Sequence, residues 1–188
     1  MMSYFGRFNY NYMSKYLLEM NLRYDGSSKF RPENRWDFFY GFSGGWRLSE
    51  EEFMKNVKFV NELKLRLSYG VVGNQSGISR YDGMQLYNFN SVNGAYIGDG
   101  RISYIKTSGE IATMGRSWER IHNYNLGLDF HLFDSRLQGT VELFMKKNNN
   151  MLIAVAYPGI LGDKAPASNS GKFEAKGYEG TVTWSDKI

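Results

Sequence analysis

The sequence predicts an all-β protein: an antiparallel, up-and-down transmembrane β-barrel segment of seven or eight strands. Three observations lead there. Apolar and polar residues alternate with period two in seven separate stretches. The apolar positions carry aromatics near the stretch ends and aliphatics in the middle, as expected of a lipid-facing band between two aromatic girdles. The connections alternate between shorter and longer, which sorts short turns to one end of the strands and long loops to the other.

In the first stretch Tyr4, Gly6, Phe8, Tyr10 and Tyr12 share a face, opposite Arg7, Asn9 and Asn11. A tight connection at Ser14 and Lys15 leads to the second, where Tyr16, Leu18, Met20, Leu22 and Tyr24 oppose Glu19, Asn21, Arg23 and Asp25. A polar loop, "GSSKFRPENR", follows. The third stretch sets Phe38, Tyr40, Phe42, Gly44, Trp46 and Leu48 against Gly41, Ser43, Gly45 and Arg47. After "SEEEFMKNVKFVNE", Leu63, Leu65, Leu67, Tyr69 and Val71 oppose Lys64, Arg66, Ser68 and Gly70. A long region rich in Gly, Asn, Ser and Tyr then runs from about 73 to 117.

The fifth stretch places Tyr124, Leu126, Leu128, Phe130 and Leu132 against Asn123, Asn125, Asp129 and His131. A turn at Asp134 and Ser135 leads to the sixth, with Leu137, Gly139, Val141, Leu143 and Met145 against Gln138, Thr140, Glu142 and Lys146. A second long loop is expected over 147–176. The last stretch sets Tyr178, Gly180, Val182 and Trp184 against Glu179, Thr181 and Thr183. Seven strands leave two unpaired edges, which lipid disfavours, so the expectation is a piece of a larger barrel. An eighth strand around "GRISYIK" would make the count even.

Composition agrees. The 188 residues are 42% hydrophobic and 16% aromatic, with 21 Gly and only 3 Pro, a balance that favours strands over a helix bundle. Mean hydropathy is -0.48, and no stretch approaches the roughly 20 apolar residues of a membrane helix. A transmembrane strand needs only about 9–11 residues, every second one apolar. With no cysteine there is no disulfide, thiolate metal site or Cys nucleophile. The formal charge of +4 is spread among acidic residues rather than gathered, which argues against a nucleic-acid face.

No constellation points to catalysis, a cofactor or a metal. His122 and His131 are the only histidines, and His131 reads as a solvated neighbour of Asp129. Glu50, Glu51 and Glu52 read as a charged turn. "GVVGNQSG" lacks the Gly-Lys-Ser/Thr ending of a phosphate loop.

The blocks "YLLEMNLRYDGSSKF", "NRWDFFYGFSGGWRLSEEEFM", "LKLRLSYGVVGNQ", "WERIHNYNLGLDFHLFDSRLQGTVELFMKKNNNML" and "NSGKFEAKGYEGTVTW" together resemble consecutive parts of the SusC/RagA-type TonB-dependent outer-membrane transporters. The resemblance spans nearly the whole chain. It implies a 22-stranded barrel in the outer membrane of a Gram-negative bacterium, of which residues 1–188 are a partial barrel domain without the N-terminal plug. It further implies import of oligosaccharides or peptides, a SusD-like surface lipoprotein as partner, and energy passed from TonB through the missing plug. The chain by itself is then not expected to transport.

On that reading Arg7, Glu19, Arg23, Asp25, Arg47, Lys64, Arg66, Asp129 and Glu142 face the lumen, where they hold a plug or line a polar passage. Tyr81, Tyr87, Phe89, Tyr96, Tyr104 and Tyr157 sit on the long loops as candidate contacts to substrate or partner. The competing reading is a soluble or surface-located β-sheet binding protein that uses the same aromatics as an ordinary core.

Overall fold

Period-two alternation puts every second side chain on one face, and the backbone then finds partners only in neighbouring strands. In the computed structural model, which describes residues 1–81, 84, 86–90, 96–97, 100–101, 104–107, 115–156, 158, 160 and 167–186, this yields one large antiparallel sheet. The strands in chain order are β1 (Met2–Tyr12), β2 (Tyr16–Gly26), β3 (Trp36–Arg47), β4 (Val60–Asn74), the short β5 (Tyr87–Asn90), β6 (Tyr96–Ile97), β7 (Gly100–Arg101) and β8 (Tyr104–Thr107), then β9 (Glu119–Leu132), β10 (Leu137–Ala154) and β11 (Ala167–Trp184). The sheet order is β1-β2-β3-β4-β9-β10-β11, a meander with β1 and β11 at its edges.

The seven predicted strands are these seven. "GRISYIK" is not an eighth: β5 pairs with β8 and β6 with β7, outside the main sheet. Two loop boundaries need correction. The expected loop 147–176 is mostly strand, since β10 and β11 stay paired up to Ala154↔Ala167. Polar residues such as Lys147 and Asn148 had hidden this, because above a lipid band nothing enforces apolar alternation, and a bulge between Asn148 and Met151 shifts the phase. The connection 48–59, expected among the shorter ones, is longer than 27–35 and contains two 3-10 turns, Leu48–Glu50 and Glu52–Met54. The tight ends are 13–15 and 133–136, where Met13, Ser14, Phe133, Asp134 and Ser135 take positive φ. The 75–118 connection remains the long one.

The apolar face carries two rows of rings. Tyr4 and Tyr24 stack on Trp36 with centroids 6.1 and 5.0 Å apart; Tyr16 stacks on Tyr12 and Trp46 at 6.4 and 6.5 Å. Trp36, one turn of the alternation beyond the expected Phe38, is thus the boundary ring of β3. Trp36 and Trp46 lie ten residues apart. At about 3.3 Å per residue and a tilt of about 40° the rows are about 25 Å apart, the height of an outer-membrane apolar band. The band also steps along the register. Its upper limit is Trp36 on β3, Tyr124 on β9 and Tyr178 on β11, although Tyr124 pairs with Met145 and, through it, with Lys176. A constant band on staggered register is what tilted strands produce.

The buried hydrophobic cluster lies at the long-loop end: Phe30, Phe39, Val71, Ile78 and Trp118. It fills the place where β3 and β4 part, since their pairing runs only from Arg47↔Lys64 to Gly41↔Gly70. Trp118 packs on Phe30 at 5.0 Å and edge-on to Phe39 at 5.4 Å. A Cβ on Gly73 would clash with the outer end of the Phe39 ring, so any side chain there forces the ring to move.

Candidate functional site

The polar face of β1–β4, β9 and β10 gathers the nine side chains expected to point into a lumen. On β1 and β2, Arg7 Nε donates to Asn21 Oδ1 at 2.8 Å and lies 3.8 Å from Glu19, whose carboxylate also accepts from Asn21 at 2.6 Å. Arg23 pairs with Asp25 at 2.7 Å, and Asp25 is buried against the loop end. Arg47, at the other end, reaches Glu50 at 3.5 Å, Glu62 at 3.7 Å and the Ser14 carbonyl at 3.4 Å.

The centre of this face is a network across three strands. Arg66 of β4 donates from Nε to Asp129 Oδ2 at 2.7 Å and from Nη2 to Asp129 Oδ1 at 2.9 Å. The same Nη2 donates to Glu142 of β10 at 2.6 Å. Thr140 and Asn125 complete the two carboxylates at 3.0 and 3.2 Å. Reaching from β4 to β10 requires crossing β9, and the residue crossed is Gly127, the register partner of both Arg66 and Glu142. A Cβ there would fall 2.9 Å from Nη2 and 3.0 Å from Cζ. The guanidinium lies in the space that a side chain would occupy. Lys64 stands opposite Asp129 in the β4–β9 register.

Two depressions open on this face. One of about 540 Å³ is lined by Asn9, Asn11, Glu19, Ser43, Lys64 and Arg66 among others. The other, about 370 Å³ and nearer the loops, is lined by Arg23, Asp25, Phe39, Val72, Gln75 and Trp118 among others. The arrangement can solvate or hold a polar surface; among the described residues no three potential metal ligands converge. His131 sits 3.8 Å from Glu62, while His122 lies on the apolar face, 2.9 Å from the Tyr69 hydroxyl.

At the loop end the structure holds residues that alternation alone does not single out. Glu119 is 7% exposed and accepts from Asn74 at 2.8 Å, Asn148 at 3.3 Å and the Leu152 amide at 2.6 Å, tying β4, β9 and β10 together. Asn169 bridges Ser117 and Asn150. Trp118 donates to the Arg35 carbonyl at 3.2 Å. Phe39, Phe144 and Phe5 sit at polar-face positions, so that face is less uniformly polar than expected. The signal for Phe39 was present: an aromatic at the wrong phase of a strand. Of the loop aromatics, Tyr81, Tyr87 and Phe89 are exposed. Tyr96 and Tyr104 lie on β6 and β8, and Tyr157 lies outside the described residues.

Glu51 organises the tight-turn end. It accepts from the Tyr16 hydroxyl at 2.7 Å, the Trp46 indole at 3.0 Å and Lys15 at 3.3 Å. These bonds, the Tyr16 one foremost, hold its carboxyl below the usual range. Of the three-glutamate turn, Glu51 alone clamps the lower ring row; Glu50 pairs with Arg47 and Glu52 with Lys55.

Residues 2–187 match the family model described as TonB dependent receptor-like, beta-barrel. The TonB-dependent receptor SusC of Bacteroides thetaiotaomicron is 34% identical over 185 residues, covering 97% of this chain and 18% of that protein. The TonB-dependent receptor P39 of Formosa agariphila is 35% identical over 187 residues, with 96% and 17% covered. Among solved structures, the RagAB peptide importer in its closed-closed state superposes with a TM-score of 0.83 at 28% identity, over 99% of this chain and 20% of that one. The siderophore receptor PirA of Pseudomonas aeruginosa, at TM-score 0.61 and 16% identity, shares the fold. The chain spans about a fifth of the length of these relatives.

Proposed function

Because the chain belongs to the TonB-dependent receptor-like β-barrel family of Gram-negative outer membranes, a family of receptors and transporters rather than enzymes, we propose that it is a sector of the wall of a nutrient importer. Residues 1–188 are a partial barrel domain. Further strands extend the sheet from β1 and β11, and a plug occupies the space in front of the polar face. Arg7, Glu19, Arg23, Asp25, Arg47, Lys64, Arg66, Asp129 and Glu142 face that space. Substrate enters from the long-loop end under a SusD-like lipoprotein, and TonB drives its release through the plug. The substrate class is oligosaccharide or peptide. Tyr81, Tyr87, Phe89, Tyr96, Tyr104 and Tyr157 contribute to contacts with substrate or lid.

The observation that carries this reading is the inverted amphipathicity. The face with two ring rows about 25 Å apart is exposed, while the other face holds a charge network bridging β4, β9 and β10. A soluble sheet would bury the rings and expose the charges.

Residues 1–188 contain no cysteine, so once any cysteine elsewhere in the receptor is replaced by serine the introduced thiols are the only ones that label. Single changes Thr140→Cys, Val141→Cys, Glu142→Cys and Leu143→Cys are placed in the intact receptor. In native outer membranes a water-soluble maleimide should label positions 140 and 142 once the plug is released, and positions 141 and 143 only after detergent. Uptake is read from growth on oligosaccharide or peptide as sole nutrient, with and without TonB. Uniform labelling, or growth independent of TonB, refutes the proposal.

A further inference from the structure

The apolar face does not end uniformly. On β11 the residues sharing the phase of Tyr178, Val182 and Trp184 continue upward as Lys176, Glu174 and Lys172. On β10 the next position of the same face above Met145 is Lys147, the register partner of Glu174. Glu174 receives Lys147 at 3.3 Å and Lys176 at 2.6 Å. Lys172 is exposed and has no ion-pair partner among the described residues. Two ammonium groups therefore share one carboxylate, and a third lies unpaired among the described residues, two residues along the same strand face.

Place and charge together narrow what this patch meets. It lies directly above Tyr178, which is 82% exposed, and above Leu143 and Met145, so its lower margin is the lipid band. It lies on the side of the 75–118 and 155–166 connections, away from the tight turns at 13–15 and 133–136, and so on the exterior side. A strand added beside β11 bonds to its backbone edge and leaves this outward face open. An ammonium has three donors. Glu174 takes one from each of two lysines, which leaves further donors on both ammonium groups, and the Lys176 and Lys147 side chains are 65% and 35% exposed. The excess is positive, and it is pre-ordered at the height of a headgroup.

We propose that Lys147, Lys172 and Lys176 form a docking site for a phosphate-bearing headgroup of an anionic outer-leaflet glycolipid, whose acyl chains lie along Tyr178, Leu143 and Met145. This rests on the membrane placement argued above. A soluble anion would gain the charge contact but not the apolar one immediately below it. A lipid gains both, and the lysine stems cover apolar surface while their heads reach the phosphate.

The test uses the intact receptor in nanodiscs that contain lipid A, in its phosphorylated or dephosphorylated form, with retained lipid counted by native mass spectrometry. Phosphorylated lipid should be retained over dephosphorylated. Each of K147Q, K172Q and K176Q should weaken retention by about fivefold. Inorganic phosphate at millimolar concentration should not displace the lipid. Equal retention of the two lipid forms, retention unchanged in the triple variant, or displacement by inorganic phosphate overturns the proposal. Heat-modifiable gel mobility checks that each variant is a folded barrel. A folded barrel with alternating cysteine labelling and no lipid preference refutes this site while leaving the membrane placement standing.

Discussion

Arg66 crosses β9 only because residue 127 has no side chain, and this makes a sharp prediction. In R66A, three charge-assisted bonds are lost, and Asp129 and Glu142 are left facing each other with only Lys64, opposite Asp129, as a nearby cation. Bonds to charged groups contribute about 1.5–3 kcal/mol each when water is excluded. Here the three side chains are 34%, 25% and 26% exposed, so water replaces part of what is lost. The expected cost is about 2–3 kcal/mol, below the 3–5 kcal/mol of a fully buried pair. In G127A the new Cβ displaces a guanidinium that can swing away, so the loss is limited to the reach to Glu142. Against this stands the ordinary gain of about 0.5–1 kcal/mol for Ala over Gly in a strand. G127A should therefore destabilise by about 1 kcal/mol or less when Arg66 is present and stabilise by about 0.5–1 kcal/mol in the R66A background. The assay is urea unfolding of the intact receptor refolded into liposomes, as a four-member mutant cycle. The coupling should be about 1–2 kcal/mol. Additivity within about 0.3 kcal/mol would mean that Gly127 is not the crossing point, and the account of the network would fail.

Other predictions follow from the two ends of the sheet. E119A strands the Asn74 and Asn148 amides and the Leu152 N–H, at about 1–3 kcal/mol each if unreplaced by water; hydrogen exchange should accelerate at Leu152 and its neighbours but not in β1–β2, with E119Q milder. G73A should expel Phe39 from its place against Trp118 and cost about 1–3 kcal/mol, and F39A should relieve most of that cost in the double variant, read from protease nicking within 75–81. Glu51 titrates with a lowered value in the folded state. Its contribution is present above the ordinary carboxylate range near 4.3 and is lost as pH falls through the lowered folded value. Connection 48–59 should loosen in that acid window in the wild type. E51Q should be loosened already at neutral pH and show no further step, as followed by Trp46 fluorescence in a variant retaining only that tryptophan. If E51Q keeps the wild-type acid step, Glu51 is not the group responsible.

Within the lipid band, the alternating positions of the seven strands, the identity of the two faces and most of the ring positions were legible in the chain itself; the upper halves of β10 and β11 and the boundary ring Trp36 were not. Lipid on one side and water on the other impose a strict period of two, and a period is a local property of sequence. The family blocks were legible for the same reason, being contiguous. The Glu50, Glu51 and Glu52 turn was visible but its purpose was not. Its partners Lys15 and Tyr16 are more than thirty residues away, and only folding brings the Tyr16 hydroxyl and Trp46 indole to one carboxylate oxygen.

What the sequence determined, then, was which residues share a face, and from that the membrane, the band and the family. What the tertiary structure decided was everything that depends on register between strands. Arg66 meets Glu142 because Gly127 lies between them in the ladder, and Lys147 meets Glu174 because β10 and β11 stay paired beyond the lipid. Phe39 is buried because β3 and β4 part above Gly41↔Gly70. Above the band no solvent boundary enforces alternation, so strand length and loop anchoring there are set by polar contacts between distant segments. Periodicity carries no record of those contacts.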